Sequence, residues 1–172
     1  MNPFETIRQF SRMLTNLDAW LQAAVDHAGA KGFPVDVLAQ ARLAPDQYAL
    51  PQQVQSACDQ AKYAAAYLSG QKPPSHPDTE TTVEELRARI RTVVAYVDGF
   101  KESDFGPAEA VRVSPAWMGG KSVRGDAYLH RIAVPNFYFH VTTAYAILRH
   151  NGVALGKGDY IGVKDFSELG AE

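Results

Sequence analysis

Apolar residues recur at steps of mostly three and four through the first 28 residues: Phe4, Ile7, Phe10, Leu14, Leu17, Leu21, Ala24, Val25 and Ala28. That spacing draws a single apolar stripe down one face of a helix. Asn2 stands where an N-cap is needed, Pro3 suits the first helical position, and Gly29 is the expected stop. About 26 helical residues would reach roughly 39 Å. A helix of that length suits a bundle.

Three more helices are expected. Residues 32–50 are irregular, broken by Phe33-Pro34 and Ala44-Pro45, with a short helix around residues 36–42; they form a connection that crosses the bundle. Pro51 opens the second helix, with Val54, Cys58, Ala61, Ala65 and Leu68 on one stripe and Gly70 as its stop. Ala61, Ala64, Ala65 and Ala66 make it thin, so a neighbour can approach closely. Residues 71–80 hold three prolines and no periodicity, and read as a loop. Thr82 and Glu85 have capping-box spacing, as do Thr81 and Glu84. Behind them Val83, Leu86, Ile90, Val93, Val94 and Val97 form a buried stripe, with Arg87, Arg89 and Arg91 mostly on wet faces and Gly99 at the end. The fourth helix opens at Pro135 and closes at Asn151-Gly152. Being apolar over much of its circumference, it should be the most buried of the four.

Between the third and fourth helices, Val111-Arg112-Val113 and Lys121-Ser122-Val123 alternate around Trp117-Met118-Gly119-Gly120 and suggest a small hairpin. Residues 128–134 are expected to be extended or a single helical turn. Residues 153–172, with four glycines, read as a peripheral surface tail. Gly156-Lys157-Gly158 lacks the glycine spacing and the following hydroxyl of a phosphate loop, and is read as a turn. The expectation is an all-α four-helix bundle with long crossing connections, one domain over residues 1–172.

Composition excludes several roles. Seventeen Lys and Arg against nineteen Asp and Glu give a net charge of -2, with no basic excess for nucleic acid or anionic lipid. No run approaches the ~18 apolar residues of a membrane span. Cys58 is the only cysteine, so no intrachain disulfide can form, and a reducing, cytoplasmic setting is the simpler expectation. Its spacing between Val54 and Ala61 makes it a small core hydrophobe. His27 and His150 sit near helix C-termini, where capping accounts for them; His76 is a loop residue and His130 precedes the last helix.

The run Pro135-Asn136-Phe137-Tyr138-Phe139-His140-Val141-Thr142-Thr143-Ala144-Tyr145-Ala146-Ile147-Leu148-Arg149-His150-Asn151-Gly152, followed by Gly156-Lys157 and Asp159-Tyr160, resembles the bacterial DUF1993 family. Cys58-Asp59-Gln60-Ala61-Lys62 is similar to that family's second-helix motif, and Pro77-Asp78-Thr79-Glu80-Thr81 to the segment leading into its third helix. The likeness covers nearly the whole chain. It implies a DinB/YfiT-like bundle, often a homodimer, and in many members a divalent metal held by three histidines. One of these comes from helix two, and the others form a His-x-x-x-His pair on the last bundle helix. Some members transfer a low-molecular-weight thiol to an electrophile. In this chain helix two has no histidine and Asp59 is the nearest candidate. Asn136 stands at the first position of the pair and His140 fills the second.

Asn136 and His140 are four residues apart and share a helix face. If Asp59 faces them, carboxylate, amide and imidazole form either a polar network that fixes helix register or a site for Zn, Ni, Fe or Mn. A metal-free pocket for a small molecule is the remaining possibility. Tyr63 and Tyr138 are the candidate proton donors or ligand contacts beside it. Two functions follow: a dimeric small-molecule-binding or structural protein with a degenerate metal site, or a metal-dependent transferase or hydrolase of the thiol-transferase type.

Overall fold

The structure is a computed structural model that describes residues 2–163. Met1 and residues 164–172, the end of the expected tail, lie outside the described residues.

Helix α1 spans Pro3–Lys31. The Phe4 amide donates to Asn2 Oδ1 at 2.9 Å, and Pro3, which has no amide to satisfy, takes the first position. The helix runs past Gly29 and ends at Gly32, whose φ of 75° is a left-handed conformation open to a residue without a β-carbon. A 3₁₀ turn, Val35–Gln40, sits in the crossing connection, close to where a short helix is expected. Helix α2 is Leu50–Leu68 and α3 is Val83–Asp98. The capping box of α3 forms in both directions: the Glu85 amide donates to Thr82 Oγ1 at 3.2 Å, and the Thr82 amide donates to Glu85 Oε2 at 3.0 Å. The expected hairpin is present as β1 (Arg112–Val113) and β2 (Val123–Arg124), antiparallel, with Arg112 opposite Arg124 and Val113 opposite Val123.

The last bundle helix begins earlier than Pro135. Helix α4 (Gly125–Tyr128), a π-helical turn (Leu129–Ala133) and α5 (Val134–His150) follow one another without a break, so residues 128–134 are helical and not extended. Proline in a helix interior lacks an amide, and its ring collides with the carbonyl four residues back, here that of Arg131. The wider π turn immediately before Pro135 relieves that collision and lets the helix continue. Gly125 starts this run in a tight place, since a β-carbon there would lie 2.6 Å from the Ala108 carbonyl oxygen.

Side-chain pairs fix the helix directions. Phe10 stacks on Phe137 at 4.1 Å and Trp20 meets Tyr145 at 5.3 Å, so α1 and α5 are parallel. Arg8 pairs with Asp98 and Arg87 with Asp18, so α1 and α3 are antiparallel. Gln53 meets His140 and Tyr67 meets Tyr128, so α2 runs opposite to the last helix. The bundle is therefore up-down-down-up, and α2 and α3 are parallel neighbours. Both of their N-termini are tied to the crossing connection, through Leu50 N–H to Ala41 O and Val83 N–H to Asp36 Oδ1.

The most buried helix is α2, not the last one. Thirteen of its 19 residues are buried against seven of 17 in α5, where Phe139 is 56% exposed. The alanines of α2 explain this: a thin helix lets α1, α3 and α5 all close on it. The first part of the expected tail is not peripheral either. Val153 and Leu155 are in the core, and helix α6 (Lys157–Ile161) docks on α1, with Trp20 Nε1 donating to the Asp159 carbonyl at 3.0 Å. No described helix is long and apolar enough to cross a membrane.

Candidate functional site

Parallel neighbours cannot be joined by a tight turn, so the chain must travel back along the bundle between α2 and α3. Residues 71–81 do this as an extended strap that runs antiparallel to α2. Pro73, Pro74 and Pro77 stiffen it, and side chains hold it down. Lys62 Nζ lies 3.4 Å from His76 Nδ1. Arg89, from α3, donates to the Pro77 carbonyl at 3.2 Å, to Glu80 Oε1 at 3.1 Å and to Asp78 Oδ1 at 3.3 Å. Further along, Gln55 Nε2 donates to Glu80 Oε2 at 3.0 Å.

Asp59 is the hub of this cluster. Its Oδ1 accepts from Lys62 Nζ at 2.7 Å and from Arg89 Nη2 at 2.8 Å, and its Oδ2 accepts from Tyr63 Oη at 3.1 Å. The Lys62 and Arg89 side chains are only 1% and 3% exposed. A buried cation is tolerable only when paired and hydrogen-bonded, and Asp59 supplies the charge for both. Arg89 is thus inside, where the sequence suggests a wet face.

His140 belongs to a different pair. Its Nδ1 lies 2.8 Å from Gln53 Oε1, and Gln53 Nε2 donates to the Tyr48 carbonyl at 3.0 Å. A carbonyl only accepts, so the Gln53 amide nitrogen must face Tyr48 and its oxygen must face His140. The His140 proton is therefore on Nδ1, and Nε2 keeps its lone pair with no partner among the described residues. Burial lowers the His140 pKa and holds the ring neutral. Asp59 comes six residues after Gln53, which turns it about 120° around α2, toward α3 and away from this pair. Asn136 makes no side-chain hydrogen bond among the described residues. Tyr138 faces α1, at the edge of Phe10 and Phe137, and lines a groove of about 280 Å³ with Glu5, Thr6, Gln9, Arg12 and Val134.

Of the five residues singled out from the sequence, then, Asp59 and Tyr63 are bonded to each other, while His140, Asn136 and Tyr138 are not joined to them. The donor chemistry fits a resident metal poorly. Asp59 is committed to two cations, which leaves one imidazole nitrogen and one neutral amide, short of the usual three-ligand set. Among the described residues no group of three or more His, Cys, Asp or Glu is placed to hold a metal ion. Gln53, Lys62, Arg89, Glu80 and His76 were not singled out as site residues from the sequence. Two of them left a signal: Lys62 falls four residues after Cys58 and Arg89 three after Leu86, each a charge on an otherwise apolar stripe.

Three further groups around Asp59 are shifted toward their neutral forms. Burial, then the Asp59 charge and hydrogen bond, push Tyr63 up to about 12, so it acts as a standing donor to Asp59. Cys58 is fully buried and likewise pushed up to about 12, chiefly by burial, which leaves an inert thiol. His76 is lowered by burial and then by Lys62 and Arg89. For a base whose pKa is depressed on folding, the unfolded chain binds the proton more readily. The stabilisation is complete above the unfolded value near 6.5 and is lost as pH falls through it toward the folded value. The urea midpoint should therefore drop between pH 7.5 and 5.5, above the range where carboxylates titrate, and His140→Gln should remove part of the slope. A midpoint flat across that window would contradict the neutral, buried imidazole.

The helix order defines an all-α four-helix-bundle protein with buried polar groups on α2, α3 and α5. The fold matches the crystal structure of a DinB family member protein from Shewanella denitrificans, with a TM-score of 0.86 and 48% identity, over 91% of this chain and 89% of that one. The family model described as a domain of unknown function, DUF1993, matches residues 4–161, and the chain belongs to that family. No curated protein matches the sequence.

Proposed function

We propose that this DUF1993 protein is a homodimeric, cytoplasmic bundle with a binding or structural role, whose family-type centre is closed by its own side chains and carries no resident metal. The commitment of Asp59 to Lys62, Arg89 and Tyr63 carries this reading. In it, Asp59 ties the strap to the bundle and His140 with Gln53 fixes the register of α2 against α5. Any small-molecule ligand would meet His140 Nε2 and the Asn136 amide.

The test is elemental analysis of untagged protein purified without chelator, before and after incubation with Zn, Ni, Fe or Mn. The expected result is no stoichiometric metal in either state, with His140→Ala less stable than the parent. One ion per chain, lost in Asp59→Ala or His140→Ala, would overturn the proposal in favour of a metal-dependent transferase or hydrolase. One observation favours that second reading: an imidazole anchored through Nδ1 with Nε2 left as a lone-pair donor is how metal-binding histidines are commonly oriented. Sedimentation in dilute solution checks the dimer, and a monomer would remove it.

A further inference from the structure

We propose that the strap formed by residues 71–81 is an acid-loosened latch, in which protonation of His76 frees the stretch around it from Lys62 on α2 and opens the buried Cys58 to small reagents. The geometry begins with the Lys62–His76 contact of 3.4 Å. A lysine ammonium has only protons to give, so His76 Nδ1 must accept, and the ring must be neutral for the contact to exist. A second proton removes the acceptor and sets two cations against each other.

The surroundings do not rescue the protonated ring. From α2 it faces Lys62 and Asp59, from α3 Arg89, and from the strap Glu80. Both carboxylates are already engaged: Asp59 by Lys62, Arg89 and Tyr63, and Glu80 by Arg89 and Gln55. Arg89 and Gln55 hold residues 77–80 whatever the charge on His76. The stretch that comes free is residues 71–76, which form no helix or strand and whose side-chain contact with α2 among the described residues is that of His76 with Lys62. Gln55 and Lys62, three residues before and four after Cys58 on α2, both contact the strap, so the strap crosses the helix face next to the fully buried Cys58. Loosening it over Lys62 is the short route to that thiol.

Cys58 is the only cysteine in the chain, which makes it a built-in reporter. The experiment measures its rate of reaction with 4,4′-dithiodipyridine between pH 8 and 5.5, each rate divided by that of glutathione at the same pH. Far-UV circular dichroism is followed in parallel. The relative rate should rise at least about threefold toward pH 5.5, with the helical signal unchanged. In His76→Gln the rate should be flat, because the glutamine oxygen still accepts from Lys62 but does not titrate. His76→Asn repeats the comparison should the Gln variant fold poorly. No rise in the parent, an equal rise in the variant, or a rise that coincides with loss of helix would each overturn the latch.

Discussion

Arg89→Ala should destabilise the protein by roughly 3–5 kcal/mol, the range for breaking a buried ion pair by removing one partner. The size follows from what is stranded. Asp59 and Lys62 stay buried with one cation where there were two, Glu80 retains only Gln55, and the Pro77 carbonyl loses its donor. Asp78 adds little, since it is 56% exposed and water replaces its partner. Arg89→Lys should recover only part of the loss, because an ammonium cannot reach Asp59, Pro77 and Glu80 together as the guanidinium fork does. Denaturant midpoints for the two variants measure this, and a loss under about 1 kcal/mol for Arg89→Ala would place the network among weak surface pairs. The result also bears on the metal question. If Asp59 is structural, Asp59→Ala destabilises the metal-free protein because it strands Lys62 and Arg89. If Asp59 were held in reserve as a ligand, removing it would leave the metal-free protein unchanged or more stable.

The architecture was legible in the sequence where the signal is local. The capping box at Thr82 and Glu85, the N-cap at Asn2 and the four apolar stripes depend on residues within one or two turns, and each is where its spacing puts it. Features that depend on how helices meet were not legible. The π turn before Pro135 shows only once a helix is known to start at Gly125. The role of Asp59 turns on α2 and α3 being parallel. That arrangement forces the strap back along α2 and brings Glu80 and Asp78 to Arg89, 9 and 11 residues away along the chain. His140 was identifiable as a polar residue on an apolar helix. Its partner was not, because Gln53 is 87 residues away and meets it only through the antiparallel packing of α2 on α5.

Trp20→Ala should lower stability by about 3–5 kcal/mol, as expected for truncating a buried aromatic, and should also undock α6. Trp20 is 2% exposed and joins three elements. Its ring stacks on Tyr160 of α6 at 5.4 Å and meets the edge of Tyr145 on α5 at 5.3 Å, while its Nε1–H satisfies the Asp159 carbonyl. What remains on α6 is the Asn16 bond to the Tyr160 carbonyl at 3.2 Å, the exposed Thr142–Tyr160 hydroxyl contact at 2.8 Å and the edge of Tyr145 at 5.5 Å, which leave the space of the indole unfilled. Trp20→Phe separates the contributions: it keeps much of the stacking surface and loses the indole donor. Its cost should be nearer 1 kcal/mol, plus a small cavity term. The other tryptophan, Trp117, is 68% exposed, so the two differ strongly in access to a quencher. In the parent protein acrylamide should quench one population readily and the other poorly, and Trp20→Phe should abolish the protected one. If Trp20→Ala left the unfolding midpoint near that of the parent, the 153–161 segment would be a surface tail after all, and the packing of Val153 and Leu155 would add little to the bundle.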